Sequence, residues 1–394
     1  MIYAEVRSMA KLDMKTRRKV IDGQRAKYKK SSKKGKGLIL DGICTATGLS
    51  RDRAKKLLAA TGSVPLPGQR RSGRNRKYGR DTRLALEWLW PLMDYAGGRR
   101  LCAGMNDMLD ALVRFSECPF EEGVIGLLKE MSPSTADRLL KREKDRMKLK
   151  GRSTTKPGTL LKKDIPVRLG TQWDENTPGF EEVDLVSHCG MTTAGEYVNT
   201  LDVTDICTGW TETRAVINKA QRHVFEALKS VRASLPFAML GIDSDSGSEF
   251  INHELYRYCK EQRILFTRGR PYMKNDGCHV EQKNWHVVRR NIGYGRYEGA
   301  EAVRLMNEYY SLLRLHANFF MPHSKLISKS RNGARIRKQY EPPITPYKRL
   351  LMDDNIPQVT KDQLMETYLS LNPAALKRDM MKLLDELKGL ALPE

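Results

Sequence analysis

With 394 residues, 40% of them hydrophobic, the chain has room for two or three domains with real cores and falls outside the disordered classes. Its net charge of +23 is unevenly held: residues 1–170 carry 40 Lys and Arg against 18 Asp and Glu, while the remainder carries 30 against 29. No apolar run approaches the roughly 18 residues of a membrane helix, the opening "MIYAEVRSMAKLD" is charged where a signal peptide needs an apolar core, and seven scattered cysteines form no C-x-x-C pair, which sets aside membrane, disulfide-framework and zinc-ribbon classes.

A cytoplasmic, nucleoid-associated setting with reduced thiols is the expectation. A basic excess this segregated fits a polyanion-binding module, because neutralising phosphates releases counterions; nucleic acid is the natural partner.

The first element in chain order is a basic arm over 1–37, poor in large apolar residues, readable as a flexible arm or a weakly formed helix. A helix-turn-helix over 38–64 follows: Leu40, Ile43 and Cys44 recur at helical spacing, Gly48 supplies a stop, and Ser50 can cap a second helix carrying Ala54, Leu57 and Leu58. That helix points Arg51, Arg53, Lys55 and Lys56 outward, as groove and phosphate contact requires, although an ordinary helical hairpin with a wet basic face has the same pattern.

Residues 65–80 join Pro and Gly to a run of arginines, and read as a basic linker in which Arg71, Arg74, Arg76 and Lys77 can meet DNA. Helices are expected around 81–97, 104–115, 120–131 and 132–148, as a second helical DNA-binding domain over 81–150. In the last helix Ser132 can cap, Pro133 suits the first helical position, and Ala136, Leu139 and Leu140 form the inner stripe; a plain amphipathic helix fits equally well. Residues 151–175, polar and rich in Gly and Pro, read as an interdomain linker.

From 176 to 320 the pattern is three strands in a meander, then helix and strand in alternation, which indicates a mixed sheet covered by helices. Three acids stand where such sheets expose side chains: Asp184 in the first strand, Asp245 after the fourth, and Glu281 early in the helix "NDGCHVEQKNWHVVRR". The 35-residue gap between the last two is weak by itself, because the chain's 23 aspartates and 24 glutamates make roughly 1.4 such pairs by chance.

The contexts carry more. "VDLVSH", "DSDSGSEF" and "NDGCHVEQKN" resemble, in order and surroundings, the three carboxylate motifs of the retroviral-integrase-like DDE transposases of bacterial insertion elements. In that family the second aspartate stands in a Thr/Ser-Asp-Asn-Gly-Ser-x-Phe turn, which aligns with Ser244, Asp245, Ser246, Gly247, Ser248 and Phe250 and leaves Asp243 as a neighbour at the strand end.

The resemblance implies a multidomain α+β protein: a helical helix-turn-helix region, an RNase H-like α/β catalytic core, and a mainly helical C-terminal region over 321–394 with a role in assembly or packed on its own domain. It implies a transposase that binds terminal repeats, then cleaves and joins strands by direct transesterification through Asp184, Asp245 and Glu281. Double-stranded DNA and a homo-oligomer on DNA are the implied partners. Hard carboxylate ligands suit Mg²⁺ or Mn²⁺, and two ions about 3.5–4 Å apart would serve an in-line displacement. The alternatives are a divalent-metal nuclease that cleaves without joining, and a DNA-binding regulator that keeps the fold without the chemistry.

There are departures from the family. Retroviral relatives carry a His-His-Cys-Cys zinc module, and this chain has no histidine before His188. They also present lysines four and seven residues beyond the catalytic glutamate, where Trp285 and Val288 stand here, leaving Lys283 and Arg289 as flanking DNA contacts. The loop 268–277, with Arg270, Tyr272 and Asn275, reads as a mobile cover or an ordinary loop, and His188, His279 and His286 as structural histidines. A helix opening at Pro373 with Leu376, Met380, Leu383, Leu384 and Leu387 on one stripe ends the chain.

Overall fold

The computed structural model describes residues 13–60, 77–147, 176–244, 247, 249–250, 252–268, 280, 283–332 and 335–392. No described helix is long and apolar enough to cross a membrane. The chain divides into two compact units, Met1–Lys77 and Tyr78–Glu394.

The first unit holds α1 (Met14–Lys30), α2 (Lys33–Thr47) and α3 (Arg51–Ala59). Ile21 and Tyr28 of α1 are buried with Leu40, Ile43, Ala54 and Leu58, so of the two readings of this stretch, flexible arm or weakly formed helix, the helix holds, with its few apolar residues on one face. Gly48 ends α2 at φ 67°, a left-handed cap that only glycine takes without strain. Ser50 holds the N-cap position of α3 without a side-chain cap bond.

In the second unit come α4 (Arg80–Leu92), α5 (Gly98–Arg114), α6 (Glu122–Lys129), α7 (Pro133–Leu139) and α8 (Lys141–Arg146). Their buried Leu86, Leu89, Met105, Met108 and Leu112 share one core with Trp210, Phe319, Phe320, Tyr347 and Leu350. The expected separate domain over 81–150 is therefore packed into the same unit as the sheet, because its apolar faces find their partners in the C-terminal half.

The sheet comprises β1 (Phe180–Ser187), β2 (Asn199–Asp205), β3 (Thr211–Val216), β4 (Gly241–Ser244) and β5 (Leu265–Arg268), in the order β3-β2-β1-β4-β5. β1, β2 and β3 are antiparallel, while β4 and β5 add in parallel through the crossovers α9 (Gln221–Ser234) and α10 (His253–Glu261). Asn252 caps α10, its side chain accepting from the Leu255 amide at 2.9 Å.

Alternation along the strands separates two faces. Val183, Leu185, Leu201, Val203, Ile242 and Phe266 pack on α9 and α10. Val186, Val198 and Ala215 pack on the opposite side against a π-helical turn (Asn284–Arg289), α11 (Gly299–Phe320) and α14 (Pro373–Gly389). Glu182, Asp184, Asp202 and Asp243 belong to that second side.

The C-terminal region carries strands as well as its helices. Before α12 (Pro346–Met352), α13 (Gln358–Ser370) and α14, the chain forms a two-stranded ribbon, β6 (Leu326–Asn332) and β7 (Arg335–Tyr340). The Asn332-Gly333 dipeptide at the end of the first run was the available sequence signal.

Candidate active site

Asp184 sits mid-strand in β1, half-buried, with Asp202 of β2 directly opposite in the antiparallel register. Both its oxygens are held: Oδ1 accepts from the Leu185 amide at 2.8 Å and Oδ2 from Asn284 Nδ2 at 2.5 Å. Asn284 opens the π-helical turn, an irregularity common at functional sites because it redirects side chains by one position.

Two more residues tie the same segment to the sheet. The Val280 amide donates to Glu182 Oε2 at 3.1 Å, and Lys283 Nζ donates to the Gly209 carbonyl at 3.0 Å in the β2–β3 turn. Glu281 itself lies outside the described residues, but its described neighbours on either side meet β1 and the adjoining turn. Asp245 also lies outside them; β4 ends one residue earlier at Ser244, which is registered against Val183, the residue before Asp184.

Asp202 is fully buried and its Oδ2 has no hydrogen-bond partner. Burial pushes its carboxyl up to about 8; Lys283 opposes that rise and Asp184 adds to it. Burial in turn brings the Lys283 ammonium down to about 7, against the pull of Asp202. Carboxylates gathered on a low-dielectric face repel one another unless a cation compensates, and among the described residues Lys283 opposes the rise at Asp202.

Over 341 residues the sequence is 36% identical to the uncharacterized protein y4rM of Sinorhizobium fredii (strain NBRC 101917 / NGR234), a match spanning 86% of this chain and 96% of that protein. The chain belongs to the y4rM family. No family model matches the sequence. Among solved structures, this y4rM relative is similar to the catalytic core domain of BIV integrase, with a TM-score of 0.28 and 16% identity over 43% of this chain and 91% of that one. It is also similar to the HTLV-2 integrase catalytic core domain in complex with magnesium in its dimeric form, with a TM-score of 0.29 and 13% identity over 38% of this chain and 93% of that one.

The remaining sequence-derived residues of this y4rM-family chain divide by surroundings. Arg53, Lys55 and Lys56 are exposed on α3, as is Arg51, which pairs with Asp41; Lys77 is exposed, and Arg71, Arg74 and Arg76 lie outside the described residues. Lys283 and Arg289, expected on the flanks as DNA contacts, are turned inward. Lys283 reaches Gly209, while Arg289 donates to the Ser187 carbonyl at 2.8 Å and lies 4.9 Å from the Tyr294 ring centre. On a helix packed against a polar sheet face, the cationic side chains find carbonyls and carboxylates before they find solvent.

Asp243 is buried beside Glu182 in the parallel register and accepts from the Thr267 hydroxyl at 2.6 Å. His188 is buried, sharing a hydrogen bond of 2.8 Å with Thr200, whose hydroxyl meets Tyr310 at 2.7 Å. Sequence reasoning missed Asp202, Asn284 and Glu182: the alternation of β1 and β2 places them on the face of Asp184, but only the register brings 202 opposite 184.

Proposed function

We propose that this y4rM-family protein is a DDE-type DNA transposase, cleaving and joining strands by direct phosphodiester transesterification through Asp184, Asp245 and Glu281 of an RNase H-like core. The observation that carries the reading is the docking of the segment around Glu281 onto β1, with Asn284 on Asp184 and Val280 on Glu182.

The donors suit a hard divalent cation: Asp184 offers carboxylate oxygens, Asp202 across from it has an unpartnered buried oxygen, and Asp245 and Glu281 supply two more carboxylates by sequence. Mg²⁺ or Mn²⁺ held there would activate the attacking oxygen and stabilise the leaving one.

The chain's own residues orient these groups. Asn284 and the Leu185 amide fix the Asp184 carboxylate, and Lys283 holds the helix start to the β2–β3 turn. A 3′-hydroxyl or water serves as nucleophile, so no side chain becomes covalently attached. Exposed Arg53, Lys55 and Lys56 on α3 are the proposed contacts to terminal-repeat DNA.

The test is incubation of the protein with Mg²⁺ or Mn²⁺ and DNA carrying the inverted repeats that flank the gene. Cleaved ends and joined products are expected from the wild type and from Asp243→Asn, and neither from Asp184→Asn, Asp245→Asn or Glu281→Gln, all with DNA binding retained. Cleavage without joining assigns a nuclease, binding alone a regulator, and full activity in any of the three acid variants removes the triad.

A further inference from the structure

The ribbon formed by β6 and β7 shows no covered side chain among its described ones. Its described side chains at 326–328, 330 and 337–340 are all exposed, Ile327 at 60% and Leu326 at 44%. A lone two-stranded hairpin is marginal in water.

Residues 325–340 hold six basic residues, Lys325, Lys329, Arg331, Arg335, Arg337 and Lys338, and no acidic one. Without them the stretch from 171 onward falls from 30 basic residues to 24, against 29 acidic ones. The ribbon is thus a concentrated cationic arm on an otherwise acidic half.

Its base is fixed to the wall of the candidate site. Arg99 donates to the Tyr340 and Glu341 carbonyls at 3.2 and 3.1 Å, and Glu341 accepts from the Lys325 amide at 3.1 Å and pairs with Arg349. Arg349 also donates to the Thr208 carbonyl at 2.9 Å, in the turn whose next carbonyl, Gly209, receives Lys283. The arm therefore springs from the turn that anchors the segment around Glu281.

We propose that the ribbon of β6 and β7 is a duplex-DNA docking element beside the active site. Strands ~4.8 Å apart make a ribbon that the ~12 Å major groove of B-DNA admits. Phosphates on either side would neutralise its basic residues and release counterions. A second copy of the ribbon is a poor occupant of the same surface, because it brings the same five charges. The inference rests on DNA as the substrate, but not on the carboxylate chemistry.

The test compares two double variants of the full chain with equal loss of charge: Arg337→Gln with Lys338→Gln on the ribbon, and Lys382→Gln with Lys388→Gln on exposed positions of α14. Fluorescence anisotropy with a labelled duplex is followed across a salt series, and thermal melting checks the fold. The ribbon variant should bind about tenfold more weakly at 0.1 M salt, with the slope of log affinity against log salt reduced by about 2. The α14 variant should stay within about twofold of wild type. Equal binding by the two variants overturns the proposal, as does concentration-dependent self-association lost only in the ribbon variant. A wild type that binds no duplex overturns both this proposal and the transposase reading, whereas a wild type that binds with no ribbon effect overturns this one alone.

Discussion

Asn284 donates to Asp184 across 100 residues of sequence, at 2.5 Å, and so connects the opening of the π-helical turn to the middle of β1. Asparagine supplies a neutral donor there, which orients the carboxylate without competing for its charge. Asn284→Ala should leave the melting temperature within a few degrees and weaken divalent-metal activation by about 10- to 100-fold. Isothermal titration with Mn²⁺ checks this apart from catalysis, and an unchanged affinity would show that the contact is dispensable.

Lys283 and Asp202 are the second relationship with a measurable consequence. Lys283→Met empties the bond to Gly209 and removes the charge that opposes the rise at Asp202, so a loss of about 1–2 kcal/mol is expected in urea unfolding. Asp202→Asn should change stability by a different amount in Lys283→Met than in the wild type, since the interaction between the two groups is then already gone. Strict additivity of the two changes would show that they do not interact.

Gly209 gives the turn its shape. Its φ is 71°, and a Cβ there would lie 1.9 Å from His323 Nε2. Gly209→Ala should therefore cost about 2 kcal/mol or more and displace the carbonyl that holds Lys283. Thermal melting reads the first effect; a wild-type melting temperature would contradict it.

His188 sets a pH dependence. Burial, followed by the nearby Arg289 charge, brings its ring from the ordinary 6.5 down to about 3. Between those values the unfolded chain takes up a proton that the folded chain refuses, so stability falls as pH drops below 6.5 and is insensitive to this group above it. By pH 5 the loss is about 2 kcal/mol. Urea midpoints at pH 7.5 and 5 should separate more in the wild type than in His188→Asn, and identical separations would remove His188 as the cause.

The sequence alone determined the order of elements around Asp184, because alternation over 180–187 and helical spacing over 221–234 are local properties of the chain. It likewise marked Gly48 as a helix stop, since a left-handed residue is a requirement on one position. Register was not legible. That Asp202 faces Asp184, that Glu182 meets Val280, and that Lys283 and Arg289 turn inward depend on how distant segments pack. Likewise, the apolar faces of the helices from 80 to 146 close on Trp210 and Phe319. One-dimensional periodicity says which face of an element is apolar; only the tertiary structure decides which other face it meets, because burial is satisfied by whichever partners complete the core.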